Sequence, residues 1–375
     1  MTKIFLIAGE ASGDVLGAPL MRALRRTTPD IDFMGVGGAA MTHEGLASLF
    51  PIEDIAVMGL LPVLGRLPTL VARIAQTTRA IIAAAPDCLV LIDAPDFTHR
   101  VARRVRRQMP HLPIINYVSP TVWAWRPGRA RAMRCYIDCV MALLPFEPAA
   151  HERLGGPPCI YVGHPLVEQL DALASSAPRD SGPLLVLPGS RRAEIARMTP
   201  LYGKTLALLK KDFPDLEVAI PVAPNMTEPL ADALRDWPLT PRLLEQADKF
   251  AAFRAARAAL VTSGAATLEL ALAGVPMAVA YRVSPPESLL RFLVTVDSIV
   301  LPNLIAGDNF IPEFLQEQAT PAALAGAIAM LLQSDAARAR QLAGFAQVHA
   351  QIAGAGACPS ARAAEIVLNH ARGQA

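Results

Sequence analysis

The chain has 375 residues, with 35 Lys or Arg and 33 Asp or Glu, so its formal net charge is only +2. A dedicated nucleic-acid-binding protein usually has a much larger basic excess, and this class is therefore disfavoured. The length predicts two domains, because single hydrophobic cores stop growing at about 250–300 residues.

Short apolar runs alternate with helical patterns along the chain, which is typical of parallel sheets covered by helices on both faces. The first predicted strands are Lys3–Ala8, Phe33–Val36, Cys88–Ile92, Ile114–Val118, Val140–Leu144 and Ile160–Val162. The second series is Leu184–Leu187, Glu217–Pro221, Ala258–Val261 and Met277–Tyr281. A polar linker at 171–183 separates the two series. The sequence thus predicts an α/β protein with two doubly wound domains, at 1–170 and 183–344.

The sequence gives no sign of secretion, a membrane span or a metal site. Glu10 and Gly13 come too early for a secretory signal, and no run of 18 apolar residues predicts a span. Five scattered cysteines lack zinc spacing and are expected to be reduced, as in a cytoplasmic protein. The Asp30-Ile31-Asp32 segment precedes a strand, at the wrong edge of the sheet. We therefore expect no metal and no cofactor.

Ligands of parallel sheets bind beyond the carboxyl ends of the strands, so the loops there hold the candidate residues. In the first loop, Glu10 and Ser12 predict a polar acceptor site that reaches sugar hydroxyls; the alternative is helix capping by Ser12 or Asp14. Two acids follow the third strand. We assign helix capping to Asp96 and leave Asp93 as the candidate general base.

Three further loops contain candidates with open alternatives. Trp123 and Trp125 indicate either a sugar-stacking surface or domain packing. Ser190 is predicted to cap a helix and Arg191 to reach a phosphate, against a plain helix start with solvated arginines. Asn303, in a Pro-Asn turn, is a weaker candidate for a ligand contact.

A turn of small residues, 262–266, joins a strand to a helix. Small side chains let backbone N–H groups approach a diphosphate, and the helix dipole favours its negative charge. Glu269, one turn inside the helix, can accept hydrogen bonds from ribose hydroxyls. The alternative is an ordinary turn in which Glu269 is solvated or capping.

Two features predict contact with lipid. Segment 58–82 is apolar with arginines on one flank, which fits an interfacial helix or a buried one. Pro62 and Pro68 would break a single long helix there. Between Asp96 and Asp138 there are nine arginines and no acid, a field that attracts anionic headgroups or a phosphorylated substrate, or a solvated basic face. The predicted membrane-contacting residues are Leu60, Leu61, Leu64 and Leu67.

Together these segments resemble the lipid-A-disaccharide synthase family of bacterial glycosyltransferases. The matching stretches lie in order across residues 7–317: IAGEASGD, FMGVGG, AVMGLLPVLGR, IDAPDF, YVSPTVWAWR, LLPFE, YVGHPL, LPGSRRAEI, TSGAATLELAL, YRVS, LPNLIAG and PEFLQE. The resemblance implies a GT-B fold, two Rossmann-like domains facing each other across a cleft. It also implies that helices after about Phe345 pack back onto the first domain.

The implied reaction joins UDP-2,3-diacylglucosamine to 2,3-diacylglucosamine 1-phosphate through a β-1′,6 bond and releases UDP, with inversion and without a metal. The family is peripherally bound to the cytoplasmic face of the inner membrane. Some members look dimeric, although nothing in residues 320–375 requires a homodimer. The alternatives are a UDP-sugar 2-epimerase of the same fold, which needs no acyl-chain surface, and a bilobal sugar-binding protein, which would be expected to have a secretory signal.

The resemblance also assigns roles to individual residues. The implied catalytic residues are Asp93, Arg191 and Asn303. The implied UDP-binding residues are Ser190, Arg191, Ser263, Gly264, Ala266, Thr267, Glu269 and Arg282. The implied acceptor-binding residues are Glu10, Ser12, Trp123 and Trp125. Whether Asp93 or Glu10 takes the proton stays open.

Overall fold

The computed structural model describes residues 1–56, 65–173, 181–223, 226–284, 296–354 and 358–374. The chain divides into two compact units. The first domain is Met1–Val167 with Ala355–Ala375, and the second domain is Glu168–Gly354. Each contains a parallel sheet with helices, so the predicted α/β class is confirmed.

The first domain has a seven-stranded parallel sheet in the order β3-β2-β1-β4-β5-β6-β7. Its strands are β1 (Thr2–Ala8), β2 (Ile31–Val36), β3 (Ala47–Ser48), β4 (Cys88–Ile92), β5 (Ile114–Tyr117), β6 (Cys139–Ala142) and β7 (Cys159–Tyr161). The chain moves outward from β1 to β3 and then returns to β4. The strand order therefore reverses between β1 and β4, and ligands bind at such switch points.

Helices cover both faces of this sheet, which explains why its strands are apolar without alternation. The helices are α1 (Ala11–Thr27), α2 (Ala39–His43), α3 (Leu67–Ala84), α4 (Pro95–Gln108), α5 (Gly128–Met133) and α6 (Glu147–Arg153). In β1, Ile4 and Leu6 belong to one core, whereas Phe5 and Ile7 belong to the other. Helix α3 begins only at Leu67, with Arg66 outside it, so no single helix continues through Pro68, as expected. Pro68 lies in the first turn of α3, where its missing N–H is not needed.

The second domain has a six-stranded parallel sheet in the order β10-β9-β8-β11-β12-β13. Its strands are β8 (Leu184–Leu187), β9 (Val218–Pro221), β10 (Arg242–Leu244), β11 (Ala258–Thr262), β12 (Met277–Tyr281) and β13 (Glu313–Leu315). Its helices are α7 (Leu170–Leu173), α8 (Arg192–Asp212), α9 (Thr227–Ala233), α10 (Lys249–Ala255), α11 (Ala265–Leu272), α12 (Leu301–Ala306), α13 (Pro321–Gln333) and α14 (Asp335–Ala353). The strand order reverses between β8 and β11, so the turn after β11 lies at a second switch point.

The C-terminal helix α15 (Pro359–Ala371) belongs to the first domain and packs against α1. Its residues Ala363 and Val367 are fully buried in the core to which Ile4 and Leu6 of β1 belong. The return to the first domain begins at Ala355, later than expected. Phe345 stays in the second domain, where its ring contacts that of Phe310 with 5.6 Å between centroids.

Candidate active site

The loops after β1 and β4 touch at the switch point of the first sheet. A Cβ added to Gly9 would lie 2.1 Å from the Cβ of Ala94, so only glycine allows this approach. Asp93 and Ala94 have φ values of 58° and 45°, in the left-handed region that costs energy for residues other than glycine. Thr98 Oγ1 donates to the carbonyl oxygen of Asp93 at 3.0 Å and supports this turn.

Both loops donate hydrogen bonds to the Asp93 carboxylate. Ser12 Oγ donates to Oδ2 at 3.0 Å, and the backbone N–H of Ala94 donates to Oδ1 at 2.8 Å. Glu10 is the N-cap residue of α1, but its side chain makes no capping bond. The structure thus brings Ser12 into contact with the candidate base, with Glu10 two residues earlier in the same loop.

Two acids of these loops have structural roles that differ from the expected ones. Asp14 is only 6% exposed and accepts three N–H groups at the start of α2, from Gly38, Ala40 and Met41 at 2.7, 2.9 and 3.0 Å. It therefore caps α2 and not its own helix. The predicted capping role of Asp96 is wrong, because α4 has no side-chain cap and Asp96 Oδ1 pairs with Arg129 at 2.9 Å.

The two tryptophans after β5 have different surroundings. Trp123 Nε1 donates to Glu147 Oε1 at 3.1 Å, and its ring meets that of Phe146 edge-on at 5.1 Å. Burial raises the pKa of Glu147 to about 7. Trp125 lies under the guanidinium of Arg126, which is 5.1 Å from its ring centroid. Trp123 is thus held within the first domain, whereas Trp125 carries an exposed cation.

In the second domain, the turn after β11 is held by its own hydroxyl groups. Ser263 Oγ donates to the carbonyl of Ile299 at 2.9 Å, and Thr267 Oγ1 donates to that of Gly264 at 2.8 Å. Thr267 is fully buried, so its hydroxyl shapes the turn from inside. Gly264 has φ 146° and open space above it, and α11 begins at the next residue. The first N–H groups of α11 are thus open to an anion.

Glu269 is neither solvated nor a helix cap. Its side chain is 16% exposed, and its Oε2 lies 2.5 Å from Nζ of Lys249. The same ammonium group lies 5.5 Å from the ring centroid of Phe253. The ion pair balances the charge of a largely buried carboxylate.

The turn after β8 positions an exposed arginine. The N-cap of α8 is Arg191 and not Ser190, contrary to expectation. The carboxylate of Glu194 accepts from the N–H of Ser190 at 3.1 Å and from Arg191 NH1 at 2.8 Å. Gly189, with φ 116°, leaves room for this carboxylate. Arg191 itself is 56% exposed, so it is available to a ligand.

Asn303 does not reach the surface, and the structure therefore speaks against direct catalytic contact. It is 1% exposed, and its Nδ2 donates to the carbonyl of Ile311 at 3.0 Å and to Glu313 Oε1 at 2.8 Å. Glu313 Oε2 in turn accepts from the N–H of Ile299 at 3.0 Å, and Ile299 accepts from Ser263. Asn303 thus supports the turn after β11 from behind.

Sequence reasoning missed a cavity of about 400 Å³ at the ends of β12 and β13, lined by Arg197, Arg282, Val283, Gln316 and Glu317. Arg282 NH2 donates to the carbonyl of Ala319 at 2.6 Å, and Arg197 NH1 donates to the carbonyl of Arg282 at 3.0 Å. Gln316 directly follows β13, so a sequence signal for this short strand would have identified Gln316 as a candidate site residue. Among the residues that the structure describes, no group of three or more His, Cys, Asp or Glu could hold a metal ion.

The start of α3 exposes apolar side chains. Leu67 is 39% exposed and Val71 is 51% exposed. The other predicted membrane contacts, Leu60, Leu61 and Leu64, lie outside the described residues. Within the described ranges, no helix is both long enough and apolar enough to cross a bilayer.

Comparison with known sequences gives close matches. A sequence model of the lipid-A-disaccharide synthetase family matches residues 4–366. The chain is 53% identical over 375 residues to the lipid-A-disaccharide synthase of Nitrobacter hamburgensis, covering 98% of this chain and 95% of the relative. It is 51% identical over 376 residues to that of Rhodopseudomonas palustris strain HaA2, covering 98% and 96%.

Comparison with solved structures gives matches of low identity. The S. aureus MnaA–UDP co-structure matches with a TM-score of 0.66 and 14% identity, covering 99% of this chain and 96% of that one. Acinetobacter baumannii MurG matches with a TM-score of 0.59 and 12% identity, covering 98% and 100%. The UDP-GlcNAc 2-epimerase of Neisseria meningitidis bound to UDP-GlcNAc matches with a TM-score of 0.62 and 14% identity, covering 93% of this chain and 97% of that one.

Two parallel α/β sheets, each with loops at a switch point, define the GT-B class of fold, and the structural matches confirm this class. Matches of 12–15% identity show the fold alone, so the epimerase alternative gains nothing from them. The sequence matches show more. The chain belongs to the lipid-A-disaccharide synthase family and is a glycosyltransferase of lipid A biosynthesis.

Proposed function

We propose that the chain transfers 2,3-diacylglucosamine from UDP-2,3-diacylglucosamine to the 6-hydroxyl of 2,3-diacylglucosamine 1-phosphate. The products are a β-1′,6-linked disaccharide 1-phosphate and UDP. Family membership supports the reaction, and the observation that carries our assignment of the site is the Asp93 carboxylate at the switch point of the first sheet. Among proteins of the same fold, the UDP-GlcNAc 2-epimerase of Neisseria meningitidis was solved with UDP-GlcNAc and S. aureus MnaA with UDP, which supports a UDP-sugar donor.

In our proposal, Asp93 is the general base of a single displacement. Its carboxylate takes the proton of the acceptor 6-hydroxyl as that oxygen bonds to the anomeric carbon of the donor. The bond from this carbon to the diphosphate breaks, and UDP leaves with the electron pair. The hydrogen bonds from Ser12 and Ala94 fix the carboxylate in place, which supports this role over that of Glu10.

We propose that UDP binds at the carboxyl edge of the second sheet. The diphosphate would accept from N–H groups at the start of α11, near Ser263, Gly264 and Ala266, and the ribose hydroxyls would donate to Glu269. Arg191, exposed after β8, would stabilise the charge that develops on the departing diphosphate.

Four residues of the implied site receive different roles in this proposal. Arg282 lines the 400 Å³ cavity, and its contact with Ala319 supports a role at the rim of the nucleotide site. Thr267 and Asn303 are buried and hydrogen-bonded within the domain, so we assign them to support of the turn. Ser190 contributes through its backbone, whose N–H is held by Glu194.

We also propose that the first domain contacts the cytoplasmic face of the inner membrane. Helix α4 packs beside α3 and carries exposed arginines at 100, 104 and 107, one stripe along the helix. In this proposal, the exposed Leu67 and Val71 of the neighbouring helix α3 supply the apolar part of the membrane-contacting surface. Basic stripes beside apolar side chains favour anionic lipid surfaces. The homodimer expectation is tested separately, by light scattering of the purified protein.

The decisive experiment supplies the donor and the acceptor to purified protein and follows the disaccharide by mass spectrometry. Asp93→Asn retains the shape of the side chain and should lower turnover by about 10²- to 10⁴-fold, with UDP affinity in calorimetry close to that of the wild type. Asp96→Asn is the matched control, because Asp96 lies three residues away, its side chain is exposed, and it pairs with Arg129 at the surface. It should retain turnover.

Three outcomes would contradict the proposal. A wild-type protein that makes no disaccharide would refute the reaction. Full turnover in Asp93→Asn would remove the base from this residue. A greater loss in Glu10→Gln than in Asp93→Asn would move the proton acceptor to Glu10.

A further inference from the structure

The backbone directly after β5 adopts a conformation that valine disfavours. Val118 has φ 77°, in the left-handed region, where a β-branched side chain is a genuine outlier. Its neighbour Tyr117 accepts a hydrogen bond from the N–H of Asp93 at 3.1 Å, so Val118 lies beside the proposed base. The loop that carries Trp123 and Trp125, residues 118–126, which we call the acceptor loop, begins at this point. Some interaction must therefore hold the backbone in this strained state.

A row of hydrogen-bonded side chains, most of them buried, ends at the carbonyl of Val118. Asn116 Nδ2 donates to the carbonyl of Val118 at 2.8 Å, and Asn116 Oδ1 contacts His99 Nε2 at 3.0 Å. His99 Nδ1 contacts the hydroxyl of Tyr136 at 3.3 Å, and that hydroxyl accepts from Arg103 NH2 at 3.1 Å. Three of the four side chains, those of His99, Asn116 and Tyr136, are 2–3% exposed.

The donors and acceptors at each step fix the direction of every hydrogen bond in this row of side chains. The carbonyl of Val118 can only accept, so the amide of Asn116 must turn its NH₂ group toward it and its oxygen toward His99. His99 must then carry its proton on Nε2, which leaves Nδ1 to accept from Tyr136. Burial lowers the pKa of His99 to about 4, and the neutral ring is the form that this arrangement needs.

We propose that His99, Asn116 and Tyr136 are positioning residues that hold Val118, and with it the start of the acceptor loop 118–126, beside Asp93. This inference rests on the proposed function and deepens it, because it says what aligns the acceptor with the base. None of these side chains touches the substrate. They act through the backbone of one strained residue. The row of hydrogen-bonded side chains reaches the surface at Arg103, whose guanidinium lies 4.7 Å from the ring centroid of Tyr136.

The test combines a disabling substitution with a suppressor. Asn116→Ala removes the bond to Val118 and should lower kcat/KM for the acceptor by about 10- to 100-fold, because small misplacements of reacting groups have effects of this size. Donor KM and UDP affinity should stay near wild-type values. Tyr136→Phe, a milder change, should give a smaller loss of the same kind.

The suppressor is Val118→Gly. Glycine adopts positive φ without strain, so the double variant Asn116→Ala/Val118→Gly should recover most of the lost kcat/KM for the acceptor. Gln341→Ala is the matched control. Gln341 is a buried amide of the second domain that bonds the backbone N–H and carbonyl of Met277, so its loss should lower stability without lowering kcat/KM for the acceptor.

The outcomes separate this inference from the proposed reaction. If the wild type makes no disaccharide, the proposed function fails. If the wild type is active but Asn116→Ala keeps its acceptor kcat/KM, the positioning role is refuted. The role is also refuted if the double variant Asn116→Ala/Val118→Gly shows no recovery, or if Gln341→Ala lowers acceptor kcat/KM as much as Asn116→Ala does.

Discussion

The contribution of Glu147 to the stability of the protein should fall as pH rises toward neutrality. Its carboxylate is 3% exposed and accepts three N–H groups, those of Leu143, Leu144 and the Trp123 indole at 3.1, 3.0 and 3.1 Å. Burial disfavours the charged form more strongly than these hydrogen bonds favour it. The pKa is therefore raised from 4.5 to about 7.

The sign and size follow from this shift. Between pH 4.5 and about 7 the folded state keeps the proton that the unfolded state has lost. The stabilisation is thus fully present below pH 4.5 and is lost as pH rises through the folded-state pKa. At about 1.4 kcal/mol per pKa unit, the contribution of Glu147 to the free energy of unfolding should fall by about 3 kcal/mol across this range.

Urea unfolding at several pH values from 4.5 to 8 tests this prediction. Glu147→Gln cannot ionise, so its unfolding free energy should fall by about 3 kcal/mol less than that of the wild type across the range. Glu152→Gln, an exposed change on the same helix, should follow the wild-type profile. Parallel profiles for the wild type and Glu147→Gln would refute the reasoning.

Two further predictions concern the first domain. Gly9→Ala should reduce both turnover and stability, the latter by about 1–3 kcal/mol in urea unfolding, because its Cβ would lie 2.1 Å from that of Ala94. Normal turnover would show that the loops separate without consequence. Leu67→Ser with Val71→Ser should reduce cosedimentation with anionic vesicles, whereas Met330→Ser, a 63% exposed residue of the second domain, should not. Equal vesicle binding by the wild type, the double variant and Met330→Ser would exclude Leu67 and Val71 from the membrane contact.

The central strands could be predicted from the sequence because both faces of each sheet are buried. Cys88–Ile92, Leu184–Leu187 and Met277–Tyr281 begin and end at the predicted residues. In a strand buried on both faces every side chain is apolar, so the run itself marks the element. The loops after such strands then follow directly, and this is how Asp93 was singled out as the candidate base.

The short edge strands could not be predicted in this way. Ala47–Ser48 and Glu313–Leu315 have two and three residues, too few for a recognisable apolar run. Missing the second of these concealed the role of Asn303, because its amide bonds to a residue of that strand. The role of Asp14 was hidden for a related reason, since its partners lie 24 to 27 residues away along the chain. Hydrogen bonds of this range depend on the fold, and no local pattern encodes them.

Three of the strained residues of the first domain connect the fold to the chemistry. Asp93, Ala94 and Val118 all have positive φ, and each such residue costs about 1–3 kcal/mol. All three follow the neighbouring strands β4 and β5. If only stability mattered, glycine at these positions would remove the backbone strain. Two separate sets of contacts hold them instead, Thr98 on one loop and Asn116 on the other. A fold that maintains strain at one edge of one sheet fixes the direction of the side chains there, and fixed direction is what a general base needs.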